Sequence, residues 1–183
     1  EEQDPAAYAK YLQNLVAYKN SDHKVVYAWF DNSEKTPFSR GQHISDAPDS
    51  LDVISMMYPA ELAAFELVDM QTVHAKGTKV VYTISFDKIQ KEYTEKVKEG
   101  TETGSFDTYL KSEMDKQIGY AGSFDGMITE YKGNNPIYMS AEQKAEAKKY
   151  QDIFFSAVST WKTANADKLL TFQGYPENLI EQT

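Results

Sequence analysis

The sequence predicts an α/β domain with a parallel sheet, and three observations support this prediction. Five short apolar runs, rich in β-branched and aromatic residues, have the composition of buried strands. Amphipathic segments with helical periodicity lie before the first run and before each of the last three. The chain of 183 residues has no Pro/Gly-rich linker, which favours a single domain over residues 1–183. Strands that alternate with helices form β-α-β units, and near-continuous apolar strands indicate a parallel sheet covered by helices.

Each element is predicted from its own stretch of sequence. The strand runs are KVVYAWF, LDVISMM, TKVVYTISF, FDGMITEY and KLLTFQG, at residues 24–30, 51–57, 78–86, 124–131 and 168–174. Helices are predicted over residues 5–20, 59–76, 105–121 and 140–164. Ser140 has the character of an N-cap, with Gln143 three residues later. The charged segment 91–106 is interpreted as a helix end followed by an exposed loop.

Composition excludes several kinds of function. The formal net charge is −9, the only arginine is Arg40, and there is no basic stripe, so nucleic acid is disfavoured as a partner. The absence of cysteine excludes disulfides and thiolate chemistry. His23, His43 and His74 are scattered without metal-ligand spacing, so we predict no metal site and no cofactor. No apolar run approaches the roughly 20 residues of a membrane span.

Candidate site residues follow the predicted strands, because parallel α/β folds gather their chemistry at the carboxyl ends of strands. Aromatic rings, carboxamides and carboxylates dominate these positions, as in sugar sites, where rings stack on pyranose faces and polar groups hold hydroxyls. Asp31 and Asp87 could instead cap the helices that follow them, and the TFQGYP segment at 171–176 could be only a turn. The predicted ligand-binding residues are Trp29, Asp31, Tyr58, Phe86, Asp87, Tyr131, Lys132, Gln173 and Tyr175.

The strand order and the segments YAWFDN, VVYTISFD and FDGMITEY resemble glycoside hydrolase family 18, the chitinase and endo-β-N-acetylglucosaminidase family. The nearer resemblance is to divergent members among surface lipoproteins of glycan-foraging gut bacteria. It implies a parallel (β/α) barrel of TIM type, of which about five of eight strand–helix units are present, as the N-terminal part of a longer barrel. It also implies a glycan or oligosaccharide ligand. The expected location is exported, periplasmic or at the outer-membrane surface of a bacterium, and an upstream lipid anchor is compatible with it.

The fourth strand of such barrels carries Asp-Gly-x-Asp-x-Asp-x-Glu, and this chain matches only the beginning of that pattern. Asp125 and Gly126 match, whereas the acid position falls on Lys132 and an acetamide-orienting aspartate is missing at Ile128. The side chains at 128, 130 and 132 point to the same side of a strand. Lysine does not readily act as a general acid at neutral pH. The resemblance therefore implies a degenerate catalytic motif.

Two alternatives stay open at Glu130. A two-residue deletion before Ile128 would move Glu130 into the acid position and preserve the alternation of the strand. Glu130 and Asp125 are thus the candidate catalytic residues. Alternatively, Glu130 and Lys132 form a structural ion pair. We rank glycan binding on an inactive barrel first, an active endo-acting glycosidase that uses Glu130 second, and an interaction scaffold without sugar affinity third.

Overall fold

The computed structural model describes residues 4–181 as five strands, five α-helices and short 3-10 turns. The strands are β1 (Tyr27–Phe30), β2 (Val53–Met56), β3 (Lys79–Ser85), β4 (Gly126–Tyr131) and β5 (Leu169–Gly174). The helices are α1 (Pro5–Lys19), α2 (Ala64–Ala75), α3 (Phe86–Glu99), α4 (Phe106–Ile118) and α5 (Ala141–Ala164). Every predicted strand and helix is present, most with bounds within a few residues of the prediction.

The five strands form one sheet in the order β1-β2-β3-β4-β5, and they are parallel. The prediction of adjacent parallel strands in chain order is therefore confirmed. The sheet does not close into a barrel, and it comprises five of the eight strands that a TIM barrel requires. In the register of the first three strands, Trp29, Ser55 and Val81 lie side by side. Side chains alternate along a strand, so the neighbouring row of Phe30, Met56 and Tyr82 points to the opposite face.

The connection from β1 to β2 differs from the expectation that an α-helix follows each strand. Residues 31–52, all of which the structure describes, contain the 3-10 turns Arg40–Gln42 and Ile44–Asp46 and no α-helix. This stretch is rich in Ser, Asp and Pro, which favour turns over a continuous helix.

Helix α3 begins earlier than predicted. Ser85 ends β3 and is the N-cap of α3, since its hydroxyl oxygen accepts the Lys88 N–H at 3.2 Å. Phe86 is thus the first helical residue, not the last residue of a strand. The helix continues to Glu99 and ends at Gly100, whose φ of 72° is the left-handed conformation usual after a helix. At α5, the predicted N-cap is confirmed by the reciprocal hydrogen bonds between Ser140 and Gln143.

The chain divides into two compact units, and the division passes through β3 and β4. The first unit comprises Glu1–Tyr82 with Phe124–Gly126, and the second comprises Thr83–Ser123 with Met127–Thr183. The single domain expected from the sequence stays a prediction. In the first unit the core contains buried residues of β2, α2 and β3, among them Ile54, Val73 and Tyr82.

The core of the second unit is aromatic. Phe86, Phe106 and Phe154 are buried, and the Phe86 ring contacts the other two edge-to-face at centroid distances of 6.0 and 5.8 Å. These rings belong to α3, α4 and α5, so one cluster joins three helices. Aromatic pairs in this geometry add about 0.5–1.5 kcal/mol to the free energy gained by burial alone.

Two aspartates fasten the amino ends of strands in the first unit, and we call each arrangement a carboxylate latch. Asp52 precedes β2, donates its N–H to the Val26 carbonyl at 3.0 Å and accepts the Val26 N–H on its carboxylate at 2.7 Å. Asp125 precedes β4 and repeats both bonds with Val80, at 2.8 and 2.7 Å. At each site the carboxylate thus provides an acceptor for a backbone N–H, that of Val26 or Val80.

A histidine completes each latch. His23 Nε2 lies 2.6 Å from Asp52 Oδ1, and His74 Nε2 lies 2.6 Å from Asp125 Oδ2. The Ser21 carbonyl, followed by the Asp52 carboxylate, raises the pKa of His23. The histidines that are scattered in the sequence therefore act with aspartates from distant segments.

Replacing Asp125 with alanine should lower the free energy of unfolding by about 1–3 kcal/mol, because the N–H of the fully buried Val80 loses its acceptor. Urea unfolding measures this change. His74→Ala is the matched control, since it removes only the partly exposed ring, whose ion pair contributes about 0–1 kcal/mol. Equal effects of the two substitutions would contradict the assignment of the latch to the backbone contact.

Candidate functional site

Asn32 joins the carboxyl ends of β1 and β2. Its side-chain oxygen accepts the Tyr58 N–H at 2.7 Å, and its amide nitrogen donates to the Tyr58 carbonyl at 2.8 Å. The same amide nitrogen donates to Glu66 Oε1 at 2.8 Å. Asn32 is buried, so all of these bonds form away from water. The loops that follow the two strands are therefore held together by one side chain.

Glu66 is a buried carboxylate at the beginning of α2, with 2% of its surface exposed. It accepts hydrogen bonds from Lys35 Nζ at 2.9 Å and from the Ala63 N–H at 2.6 Å. A buried carboxylate is costly unless a cation and hydrogen bonds compensate it, and this one has both. Sequence reasoning missed Glu66, because the helix was predicted to begin at residue 59, and this start placed Glu66 beyond the first turn, where capping residues lie.

Two predicted ring positions in the first unit are open to solvent. Trp29, the penultimate residue of β1, is 54% exposed, and Tyr58, which follows β2, is 48% exposed. Asp31 accepts the Ser33 N–H at 2.9 Å, and hydrogen bonds from the Ser33 side chain and backbone lower its pKa. No α-helix follows Asp31, so the interpretation of Asp31 as a helix cap is wrong. It holds a turn instead.

In the second unit, Glu130 and Ser85 lie on neighbouring strands. Glu130 is the penultimate residue of β4, and its Oε1 accepts the Ser85 hydroxyl at 2.8 Å. Lys132 lies just beyond β4 and is exposed. The ion pairs found within residues 4–181 do not include Glu130 with Lys132, so the predicted structural pair is wrong. Because a side chain of β3 satisfies the carboxylate, the lysine is not required for that purpose.

Asp87 holds the loop that follows β4. Its carboxylate accepts the Lys132 N–H at 2.7 Å and the Gly133 N–H at 3.2 Å. Gly133 has a φ of 58°, a conformation that glycine adopts readily. Asp87 lies in the first turn of α3, where its contacts are to this distant loop. It therefore positions backbone, which differs from both the hydroxyl-binding and the capping interpretations.

Phe86 and Tyr131 do not line an open surface. Both are buried, with their ring centroids 4.8 Å apart, and Tyr131 also contacts Phe155 of α5 at 5.5 Å. Burial, followed by the nearby Asp87 carboxylate, raises the pKa of Tyr131. The two rings were expected to contact a ligand, but they pack in the core against helices and are buried there.

The end of β5 closes tightly on β4. Tyr175 donates its N–H to the Tyr131 carbonyl at 3.3 Å, and a side chain at Gly174 would clash with that same carbonyl. Glycine is therefore required at position 174 because the two backbones approach closely. This agrees with the interpretation of TFQGYP as a turn. Gln173 and Tyr175 nevertheless have exposed side chains, so both stay candidates for ligand contact.

Asp125, the second candidate catalytic residue, lies at the amino end of β4 in a carboxylate latch. The carboxyl end of the same strand carries Glu130. Because chemistry in parallel α/β folds gathers at carboxyl ends, the latch contacts assign Asp125 to stability. This corrects the expectation of a catalytic role.

Within residues 4–181, no group of three or more His, Asp or Glu side chains is placed to hold a metal ion. None of the helices in the described part of the chain has the length and apolar character needed to cross a bilayer.

Comparison with known proteins identifies the family. The model of glycoside hydrolase family 18, BT1044-like, matches residues 1–183. The chain belongs to this family. No curated protein matches the chain. The family membership agrees with the resemblance inferred from the strand order and the FDGMITEY segment.

Two solved structures share the fold of this family 18 chain. An endo-beta-N-acetylglucosaminidase from Cordyceps militaris in apo form is 19% identical with a TM-score of 0.59, over 95% of this chain and 56% of that one. A selenomethionine form of BT1044 with a glutamate-to-glutamine substitution is 15% identical with a TM-score of 0.64, over 96% of this chain and 58% of that one. The chain thus spans just over half the length of each structure.

Asn32→Ala should lower the free energy of unfolding of this family 18 chain by about 2–4 kcal/mol, because both the Tyr58 backbone and the buried Glu66 lose a partner. Chemical denaturation measures the loss. Asp31→Ala, at the adjacent exposed position, should cost less than about 1 kcal/mol. A loss below about 1 kcal/mol at Asn32 would show that the two loops do not depend on this side chain.

Proposed function

We propose that the protein binds a glycan that contains N-acetylglucosamine and does not hydrolyse it. The observation that carries the proposal is the side chain at the family's acid position, which is the exposed Lys132 instead of a glutamate. Family membership supports a glycan as the ligand class. The exposed rings of Trp29, Tyr58 and Tyr175, at or near strand ends, support binding of that ligand.

Hydrolysis by this family depends on proton transfer to the leaving oxygen. A family 18 reaction needs a carboxylic acid that gives its proton to the leaving oxygen, and an aspartate that orients the substrate acetamide. A lysine does not readily act as a general acid for the leaving oxygen. Ile128, which replaces the first of the two inner aspartates of the motif, is buried and apolar, and a glutamate, Glu130, stands in place of the second. Neither requirement is met in the ungapped alignment.

Exposed aromatic rings, one of them on a backbone held by hydrogen bonds, support glycan binding. Trp29 and Tyr58 offer two faces in the first unit, and the Asn32 hydrogen bonds hold the Tyr58 backbone in place. A ring that is already positioned loses little conformational freedom when a ligand binds. Tyr175 is a further exposed ring in the second unit. These exposures favour ligand binding over a scaffold without sugar affinity, although the burial of Phe86 and Tyr131 reduces the predicted set.

The second candidate is an endo-acting glycosidase in which Glu130 is the general acid. One contact favours it: the half-buried Glu130 carboxylate accepts a hydrogen bond from the Ser85 hydroxyl near the carboxyl end of the sheet. In this register the two-residue deletion places Glu130 at the acid position. The acetamide-orienting aspartate would still be missing, which is why we rank this function second.

We also propose an exported location, periplasmic or on the outer-membrane surface of a bacterium with a lipid anchor upstream. This proposal rests on the resemblance to surface lipoproteins of glycan-foraging bacteria. Cell fractionation with protease shaving of intact cells tests it, and protein found only in the cytoplasmic fraction would reject it.

Trp29→Ala should weaken glycan binding by about 1 kcal/mol or more, because stacking of a sugar on the indole face is lost. Calorimetric titration with N-glycan and chitin fragments measures the change. Val26→Ala is the control, since Val26 is exposed just before β1 and carries no ring that could stack on a sugar. Unchanged affinity at Trp29, or no binding by the parent protein, would count against the proposal.

The protein should show no useful hydrolysis of chitin or N-glycans, since general acid catalysis typically supplies a factor of about 10² to 10⁴ in rate. The assay uses the full natural chain with product detection by mass spectrometry. Under the second candidate function, Glu130→Gln would abolish turnover while Lys132→Ala would leave much of it. Efficient glycan release that is lost in Glu130→Gln would therefore replace our first proposal with the second.

A further inference from the structure

A groove in the second unit lies between the loop after β4 and the helices α3 and α5. Its volume is about 480 Å³, which falls within the roughly 300–1,000 Å³ typical of small-molecule sites. Gln90 contributes from α3, Tyr138 from the loop and Tyr150 from α5. The strand-end candidates Glu130, Tyr131, Lys132, Gln173 and Tyr175 are not among its lining residues, so the groove is a separate feature of this unit.

Carboxamides dominate the polar lining. Gln90, Asn134, Asn135 and Gln143 are among its lining residues. The side-chain oxygen of Asn135 accepts the Ile137 N–H, and that of Gln143 accepts the Ser140 N–H, so the backbone fixes both amides. Carboxamides both donate and accept hydrogen bonds, which suits a ligand that presents many hydroxyl groups.

The charge of the groove disfavours an anionic ligand. The described residues that line it include no lysine or arginine, and Glu146 contributes a carboxylate. Tyr150 donates its hydroxyl to Glu146 at 3.0 Å. Burial, followed by the Glu146 carboxylate, raises the pKa of Tyr150 to about 12, so the phenol keeps its proton at neutral pH. A phosphate or carboxylate ligand would meet a negative charge with no lining cation to compensate it.

Two tyrosines, together with Met139 and Ala147, form the apolar part of the lining. The Tyr150 ring contacts Phe106 edge-to-face at a centroid distance of 4.7 Å, so it is a fixed wall. Tyr138 is 83% exposed at the end of the 3-10 turn Pro136–Tyr138, in which the Asn135 side chain accepts the Ile137 N–H. An exposed ring beside fixed carboxamides is the arrangement that stacks on a pyranose while hydroxyls are hydrogen-bonded.

We propose that this groove is a second carbohydrate site, which takes an uncharged oligosaccharide and is independent of the strand-end rings. The ligand stacks on Tyr138 and hydrogen-bonds the carboxamides and the Tyr150 hydroxyl oxygen. A sugar bearing a carboxylate binds more weakly, because Glu146 repels it.

Chitotriose and maltotriose are the probes, titrated against the full chain by calorimetry and by saturation-transfer NMR. Tyr138→Ala should weaken binding about three- to tenfold, as loss of one stacking ring predicts. Ile137→Ala is the matched control, since it is 73% exposed on the same turn and is not among the lining residues. Asn134→Ala should weaken binding in the same direction as Tyr138→Ala. Lactose compared with sialyllactose tests the expected discrimination against a carboxylate.

The outcomes separate this proposal from the binding proposed for the strand ends. Loss of affinity in Tyr138→Ala but not in Ile137→Ala, with the effect of Trp29→Ala measured separately, supports the groove. Loss in Trp29→Ala alone supports the strand-end site and overturns the groove. Equal weakening by Tyr138→Ala and Ile137→Ala, or no binding of either probe by the parent protein, also overturns it. Urea unfolding of each variant verifies that the fold is unchanged.

Discussion

The register of the parallel strands is the constraint on which the other features depend, and the two carboxylate latches help to fix it. Asp52 and Asp125 each bind both backbone polar groups of one residue, Val26 just before β1 and Val80 near the beginning of β3. A slip of one residue would break both bonds and turn every side chain of the strand to the other face. In β4 that slip would exchange the positions of Glu130 and Tyr131, placing a carboxylate among the aromatic rings. The cost of burying an unpaired carboxylate opposes this slip.

The carboxyl ends are held by a different device, in which polar side chains bind loop backbone. Asn32 binds Tyr58 in the first unit, and Asp87 binds Lys132 and Gly133 in the second. Loops carry most binding residues in proteins, and they serve that role when a rigid scaffold positions them. A polar residue at a strand end can therefore either contact a ligand or hold the loop backbone. Asn32 and Asp87 hold the loop backbone. The exposed rings of Trp29 and Tyr58 are left for contact with a ligand.

The FDGMITEY segment contains parts with different uses. Asp125 belongs to a latch, Tyr131 belongs to the aromatic core, and Glu130 is bound by Ser85. Family 18 membership explains why the segment looks like a catalytic strand, and its acid position explains why we propose binding without hydrolysis. The stability of the strand accounts for the aspartate of this segment, since Asp125 accepts the Val80 N–H whether or not the chain is active.

The sequence by itself determined the five strands, their order, most helices and the degenerate motif. The strands and helices follow from local composition and periodicity, and the order of the strands follows from their alternation with helices. The degenerate motif follows from residues at fixed spacing along one strand. Only the tertiary structure decided the partners of Asn32, Glu130 and Asp125, which lie 26 to 51 residues away along the chain. It also showed that Phe86 begins a helix and is buried, because the Ser85 cap and contacts from α4 and α5 determine its surroundings. Hydrogen-bond partners and burial depend on which distant segments meet, and no local pattern of residues encodes that meeting.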